Sequence, residues 1–229
     1  RLVRFLVRAV VIFALWFPVF LAYYPTIWSY DIWAQLPYTS HSLFDGTHPI
    51  LHTLFIELFM HIAKLFGSYE IGMVMLSIIQ MILLSLIFSY CDEKAALRGA
   101  GLFARILLTA FYAFAPFCSI LSISMTKDVL FTGVFMLMVD AAFDMIWFDP
   151  DQLFTRGFMI RFACICILLA LLRSNGIYIL AGWAVFGTIF AGRKRRLRFL
   201  LLCLLSVGIA FGADKGLRRL VHATDIHRI

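Results

Sequence analysis

The chain has 229 residues, of which 63% are hydrophobic and only 14% charged, with a mean hydropathy of +0.94. A soluble domain carries roughly 25% charged residues and about half apolar ones. These values exclude an ordinary water-soluble globule, a disordered chain and a disulfide-stapled mini-protein, and point to an all-α polytopic membrane protein.

At roughly 20 residues per crossing, the length accommodates about seven transmembrane helices. The formal net charge is +7. The surplus base sits in short loops between apolar runs, where it orients the chain in a bilayer instead of marking a nucleic-acid partner. Cys91, Cys118, Cys164, Cys166 and Cys203 lie in or beside apolar runs without metal-ligand spacing. They read as small apolar residues.

The chain opens on Arg1, not methionine, which suggests a trimmed amino terminus. Arg1, Arg4 and Arg8 precede an apolar run that reaches Tyr24 with no small-residue cleavage site, as in a retained signal anchor. Further apolar runs follow at 70–90, 106–123, 129–148, 158–172, 177–191 and 199–213. Together with the first run, at 5–24, they predict seven spans within a single transmembrane domain, residues 1–229. Residues 25–69 are then expected to form the first outer loop, and 214–229 read as an outer tail, one expected to be truncated.

An eighth run, 50–66, contains Glu57, His61 and Lys64. Each charge placed in hydrocarbon costs about 2–3 kcal/mol on insertion scales. Thr53, Glu57, His61 and Lys64 fall within about 80° of one another on a helical wheel, and apolar residues cover the rest. An amphipathic helix over 49–66, lying at the membrane surface, is therefore expected. Pro49 suits its first turn.

The charge balance agrees. If 50–66 does not cross, the basic groups Arg1/Arg4/Arg8, Lys94/Arg98/Arg105, Arg156/Arg161 and Arg193–Arg198 share one face with the amino terminus. That face is then cytoplasmic.

With this parity the unexpected polar residues collect on the opposite, outer face. The first loop supplies Asp31, Gln35, His41, Asp45, His48 and His52. The turn between spans three and four supplies Ser124, Thr126, Lys127 and Asp128, and the end of span five supplies Arg173, Ser174 and Asn175. A carboxylate beside an acceptor hydroxyl can act as a general base. Arg and Lys can hold a phosphate, the Arg through a fork of donors. An acid with a phosphate clamp at a membrane surface fits group transfer from a lipid phosphate.

Three segments carry a resemblance: Tyr30-Asp31-Ile32-Trp33-Ala34-Gln35, Asp45-Gly46-Thr47-His48-Pro49-Ile50-Leu51-His52, and Leu65-Phe66-Gly67-Ser68. Together they resemble the first outer loop of the GT-C glycosyltransferases, which include protein O-mannosyltransferases and aminoarabinose transferases. Ser124-Met125-Thr126-Lys127-Asp128 and Leu172-Arg173-Ser174-Asn175-Gly176 further resemble a bacterial, uncharacterised GT-C-like branch. The resemblance covers roughly residues 20–180.

It implies a bacterial plasma-membrane enzyme that takes a sugar from a polyprenyl-phosphate donor, with inversion, on the extracytoplasmic face. Asp31 would be the base, with Asp45 as a second catalytic candidate. Lys127, Arg173 and Asn175 would bind the donor phosphate. Gln35, His48, His52 and Asp128 complete the candidate set. Some relatives use a divalent metal here, and Asp45, His48 and His52 are the candidate ligands. The family is typically far longer, so the chain reads as a fragment, a minimal enzyme, or a relative that has lost catalysis. Its implied partners are the polyprenyl-linked sugar and membrane lipids, with no nucleic acid.

Plainer readings stand beside these. Asp31 could cap a helix or pair with Lys127, Asp45-Gly46 could make a turn, and Asp128 could cap span four. Asn175-Gly176 could end a helix. Gln80 fits an interhelical hydrogen bond. Asp140 and Asp144 share a face of span four. They suggest either a coupling site of a transporter or lipid flippase, or simple pairing with Arg105, Arg156 or Arg161. A non-catalytic, polyprenyl-lipid-binding membrane partner is the remaining class.

Overall fold

The computed structural model describes residues 1–29, 32–35, 48–148, 151, 155–190, 193 and 195–221. They form two compact units, Arg1–Thr39 with Leu54–Gly133, and Ser40–Thr53 with Val134–Ile229.

The helices are α1 (Leu2–Ala22), α2 (Ile32–Gln35), α3 (Ile50–Leu65), α4 (Tyr69–Leu97), α5 (Leu102–Phe114) and α6 (Pro116–Ser122). They continue as α7 (Lys127–Phe143, extended by a wider π turn over Asp144–Phe148), α8 (Arg156–Leu172), α9 (Gly176–Phe190) and α10 (Arg196–Leu220). Helix occupies each of the seven predicted apolar runs, and the protein is an all-α, multi-pass membrane protein. α1, α4, α7 with its π turn, and α10 are each long and apolar enough to cross a bilayer, and α5 with α6 makes a fifth candidate.

Three departures from the predicted spans have local causes. The run 106–123 is a bent pair, turning 53° at a break before Pro116. Proline disfavours the helical conformation in the residue before it, and Ala115 is accordingly extended (φ −66°, ψ 117°). α4 continues to Leu97, past the apolar stretch. α8 and α9, with 17 and 15 residues, are shorter than the roughly 20 that a span requires.

The core of the first unit is aromatic. Trp16 of α1 is fully buried, and its indole N–H donates to the Tyr112 carbonyl at 3.0 Å. Phe88 of α4 meets Trp16 edge-on at 5.7 Å and stacks on Tyr112 of α5 at 4.3 Å. At the far end of these three helices, Arg8 of α1 and Arg105 of α5 both grip Oδ2 of Asp92, on α4, at 2.7 and 2.9 Å. Ser89 donates to the Phe5 carbonyl beside them at 2.7 Å.

At the other end, Ser77 of α4 donates to the carbonyl of Pro25, just past α1, at 3.2 Å. The start of α1 thus meets the end of α4, and the end of α1 meets the start of α4. The two helices are antiparallel, so the connection between them returns to the end that it left, and α3 does not traverse the bundle.

α3 is held there by apolar packing. Ile56, Phe59 and Met60 join Ile32, Leu76 and Met125 in one buried cluster. Gly72 of α4 brings the two backbones together: a Cβ at that position would lie 2.8 Å from the Phe59 carbonyl oxygen and 2.9 Å from the Ala63 Cβ. α3 ends in a Schellman cap. The Ser68 N–H reaches back to the Ala63 carbonyl, the Gly67 N–H to that of Lys64, and Gly67 takes φ +68°. Leu65-Phe66-Gly67 thus has a complete capping explanation. Gly99 ends α4 in the same way, with φ +89°.

In the second unit, α8, α9 and α10 pack together. Gly176 opens α9 so close to α8 that a Cβ would lie 2.2 Å from the Leu169 carbonyl oxygen. Gly187 of α9 likewise accommodates the fully buried ring of Phe199 on α10, which also contacts Phe162 at 5.8 Å.

Gly72→Ala is expected to overpack the α3–α4 contact and cost about 1–3 kcal/mol. Thermal unfolding of the purified protein in detergent checks this, with Gly208→Ala as the comparator because nothing lies within 4 Å of that position.

Candidate functional site

The sequence places its polar candidates in three segments, the first of which is divided between the two units. In the first unit, the stretch after α1 is stitched to the α6–α7 turn. Ile27–Trp28 pairs in parallel with Ser124–Met125 as a minimal two-strand ladder. The Thr26 hydroxyl donates to the Ile123 carbonyl at 2.7 Å, and the Ser29 hydroxyl to that of Met125 at 2.8 Å. The Gln80 amide donates to the Ser124 carbonyl at 3.1 Å, so its predicted hydrogen bond goes to a backbone break between helices. Its own carbonyl oxygen is buried and accepts from no described residue.

The neighbouring Glu70 carboxylate keeps the Tyr24 phenol pKa above its usual value.

This seam positions Lys127 and Asp128, which are half-buried in the first turn of α7. Thr126, not Asp128, caps the helix: its hydroxyl accepts from the Asp128 N–H at 3.4 Å. Asp128 instead places its charge in the first turn, where the helix dipole favours an acid. Gln35 ends α2 and is buried. Ser29 and Ile32, on either side of residues 30–31, are both anchored, the latter in the α3–α4 cluster. Asp31 itself, with His41 and Asp45, lies outside the described residues.

In the second unit, His48 is half-buried and His52 is buried in the first turn of α3. The Pro49 carbonyl accepts the first helical bond, from the Thr53 N–H at 3.2 Å. Thr53 is buried, so the solvated stripe of α3 is narrower than predicted. Glu57 is half-buried, and His61 and Lys64 are exposed.

Arg173 and Asn175 flank the break between α8 and α9. Asn175-Gly176 begins α9 and does not end α8. The Asn175 carbonyl accepts from the Tyr178 and Ile179 N–H groups, while the Gly176 N–H donates to the Arg173 carbonyl at 2.8 Å.

A cavity of about 220 Å³ joins these two segments. Pro49 and Ser174 line it together with Asp214 and Arg218 of α10. Arg218 Nε donates to Asp214 Oδ2 at 2.7 Å, one helical turn away. This acid–base pair lies beyond the apolar run 199–213, and its i, i+4 spacing is the signal that marks it. The cavity thus presents a guanidinium, a carboxylate and a hydroxyl within apolar walls, which suits a small polar ligand carrying an anionic group.

Other candidates fall elsewhere. Asp140 and Asp144 are buried, the latter opening the π turn of α7. Arg105, one of their predicted partners, is engaged by Asp92. Among the described residues no group of three or more His, Cys, Asp or Glu side chains could hold a metal ion. Of the predicted ligand set, only His48 and His52 are described.

Burial raises the pKa of Glu57, and Lys64 and His61 oppose the shift. A carboxyl raised on folding binds its proton more tightly in the native state. Its contribution to stability is therefore present below the ordinary carboxylate pKa and is lost as pH rises through the raised value. Glu57→Gln should match the parent in melting temperature near pH 4 and equal or exceed it at pH 7. Melting curves at the two pH values test this.

Comparison with curated proteins and with solved structures finds no match. Residues 36–226 match the family described as "Family of unknown function (DUF6020)", and the chain belongs to that family.

Proposed function

We propose that this protein is a membrane glycosyltransferase that moves a sugar from a polyprenyl-phosphate donor to an acceptor on the extracytoplasmic face of a bacterial plasma membrane. The observation that carries the reading is the seam of the first unit. Two segments almost a hundred residues apart, Thr26–Ser29 and Ile123–Met125, are tied beside Lys127 by the Thr26 and Ser29 hydroxyls and by the paired backbones of Ile27–Trp28 and Ser124–Met125. The GT-C resemblance assigns the base and the donor cation to the residues that immediately follow these segments, Asp31 and Lys127. The second unit offers separate support, because its cavity is lined by Pro49, before α3, and by Ser174, between α8 and α9, although His48, Arg173 and Asn175 do not line it.

In the proposed reaction, Asp31 takes the proton of the acceptor hydroxyl. The freed oxygen attacks the anomeric carbon from the face opposite the phosphate, the bond from that carbon to the phosphate oxygen breaks, and polyprenyl phosphate leaves. One bond forms and one breaks at the same carbon, so the configuration inverts. Lys127 offsets the charge that grows on the departing phosphate. In the second unit, Arg173 and Asn175 are assigned to donor binding. The antiparallel arrangement of α1 and α4 and the basic loops at the opposite end support the extracytoplasmic placement.

Buried Asp140 and Asp144 at the π turn favour a second reading, a transporter or flippase. One assay separates the classes: release of polyprenyl phosphate from a labelled polyprenyl-phosphate sugar by the purified protein. Release that falls about 10²–10⁴-fold in Asp31→Asn and survives in Asp140→Asn fits the transferase. Transport of the labelled lipid that fails in Asp140→Asn while Asp31→Asn stays active favours the carrier. No release or transport by any form leaves a non-catalytic lipid-binding partner. A single cysteine at Lys127 should react with impermeant maleimide from outside the cell, and labelling only from the cytosol removes the proposal.

A further inference from the structure

The first unit holds a second cavity, at the end away from the seam. It measures about 350 Å³ and lies between α1 and α5, with Arg8, Asp92 and Arg105 at its head. That is within the range of small-ligand sites, about 300–1,000 Å³.

Its two parts differ in chemistry. At the head, the Asp92 side chain is fully buried, while those of Arg8 and Arg105 keep 15% and 17% of their surface. Both guanidinium groups bond the same carboxylate oxygen, Asp92 Oδ2. Nε and Nη2 of Arg8 and Nη1 of Arg105 donate to no described residue. Asp92 Oδ1 likewise accepts from none.

Below the head, the walls are Val11 and Leu15 of α1 and Ile106, Ala110 and Phe114 of α5. Most of these are exposed apolar side chains on helices of membrane-spanning character. From Arg105 to Phe114 the groove follows α5 for about 14 Å, at 1.5 Å per residue.

The charge around the head does not cancel. Arg1, just before α1, Arg8 of α1 and Arg105 of α5 face Asp92 and Glu93 of α4, through contacts of 2.7 to 4.0 Å. Three cations oppose two anions, which leaves one positive charge at the rim of a hydrocarbon groove.

We infer that this groove binds one singly anionic phospholipid of the leaflet at the basic end of the bundle. The phosphodiester accepts from the spare N–H donors of Arg8 and Arg105. One acyl chain lies along Val11, Leu15, Ile106 and Phe114. The site is independent of the proposed transferase reading, being built from the opposite end of the first unit.

The test uses the full chain, purified in detergent and examined by native mass spectrometry against phosphatidylglycerol and phosphatidylcholine of the same acyl composition. One phosphatidylglycerol per chain should be retained, with roughly fivefold or greater preference over phosphatidylcholine, the effect of about one surplus charge at a membrane surface. Equal retention of the two lipids overturns the proposal without any variant. Ala110→Trp fills the groove and leaves the Arg–Asp cluster untouched. It should lose the bound lipid at an unchanged melting temperature, and retention of that lipid by the folded variant also overturns the proposal. Arg8→Lys keeps the charge and removes the fork, and should weaken the preference without abolishing it.

Discussion

A single carboxylate organises one end of the helical bundle. Asp92 is sealed from solvent and shared by two arginines from two other helices. Removing one member of such a buried group commonly costs about 3–5 kcal/mol, because the remaining charge is stranded in a poor dielectric. Replacing the whole group with apolar residues is often neutral, so the cluster is better understood as a device of register than of stability. It allows α1, α4 and α5 one axial alignment, in which Trp16, Phe88 and Tyr112 meet as an aromatic core. Sliding any of the three helices by one turn would break the ion contacts and the ring contacts together.

That alignment determines what can happen at the opposite end. Because α1 and α4 are antiparallel, the connection between them leaves and rejoins the helices at the end where α1 stops. α3 meets this demand by lying on α4 through Gly72 and burying Ile56, Phe59 and Met60, with its charged residues left at the periphery. The strand-like contact between Ile27–Trp28 and Ser124–Met125 then fills the hydrogen-bonding needs of two backbone breaks with each other. Polar side chains at this seam serve mainly as backbone partners: Thr26, Ser29, Ser77 and Gln80 all donate to carbonyl groups. Lys127 and Asp128 owe their position to this arrangement.

The helical architecture was legible because apolar runs report burial in lipid directly. Their limits were less legible. Pro116 sits inside an apolar run whose hydropathy does not register a bend, and α4 outlasts its apolar stretch because Asp92 and Glu93 find cationic partners on other helices. Asp92 was missed for the same reason. Followed by Lys94 and Arg98, it reads as an ordinary loop acid, and nothing local announces Arg8 or Arg105. At the candidate site, parity put the segment after α1 and the turn before α7 on one membrane face, without foretelling that the two pair. It did not identify Thr126 as the cap of α7, or α10 as the source of Asp214 and Arg218 for the cavity beside Pro49. Leu65-Phe66-Gly67 carries a different lesson: a motif that supports a family resemblance also follows from helix termination, which weakens it as a mark of common function.

Gly187 and Phe199 illustrate how one missing methyl group can constrain the history of a fold. The Phe199 ring occupies the volume that any other residue at 187 would need, with its Cε1 only 2.2 Å from the position a Cβ would take. Neither residue can enlarge alone. Across descendants of a common ancestor, the two positions should drift as a couple, a bulkier residue at one accompanied by a slighter one at the other. Such paired substitution would betray the helical contact even in sequences too divergent to align elsewhere.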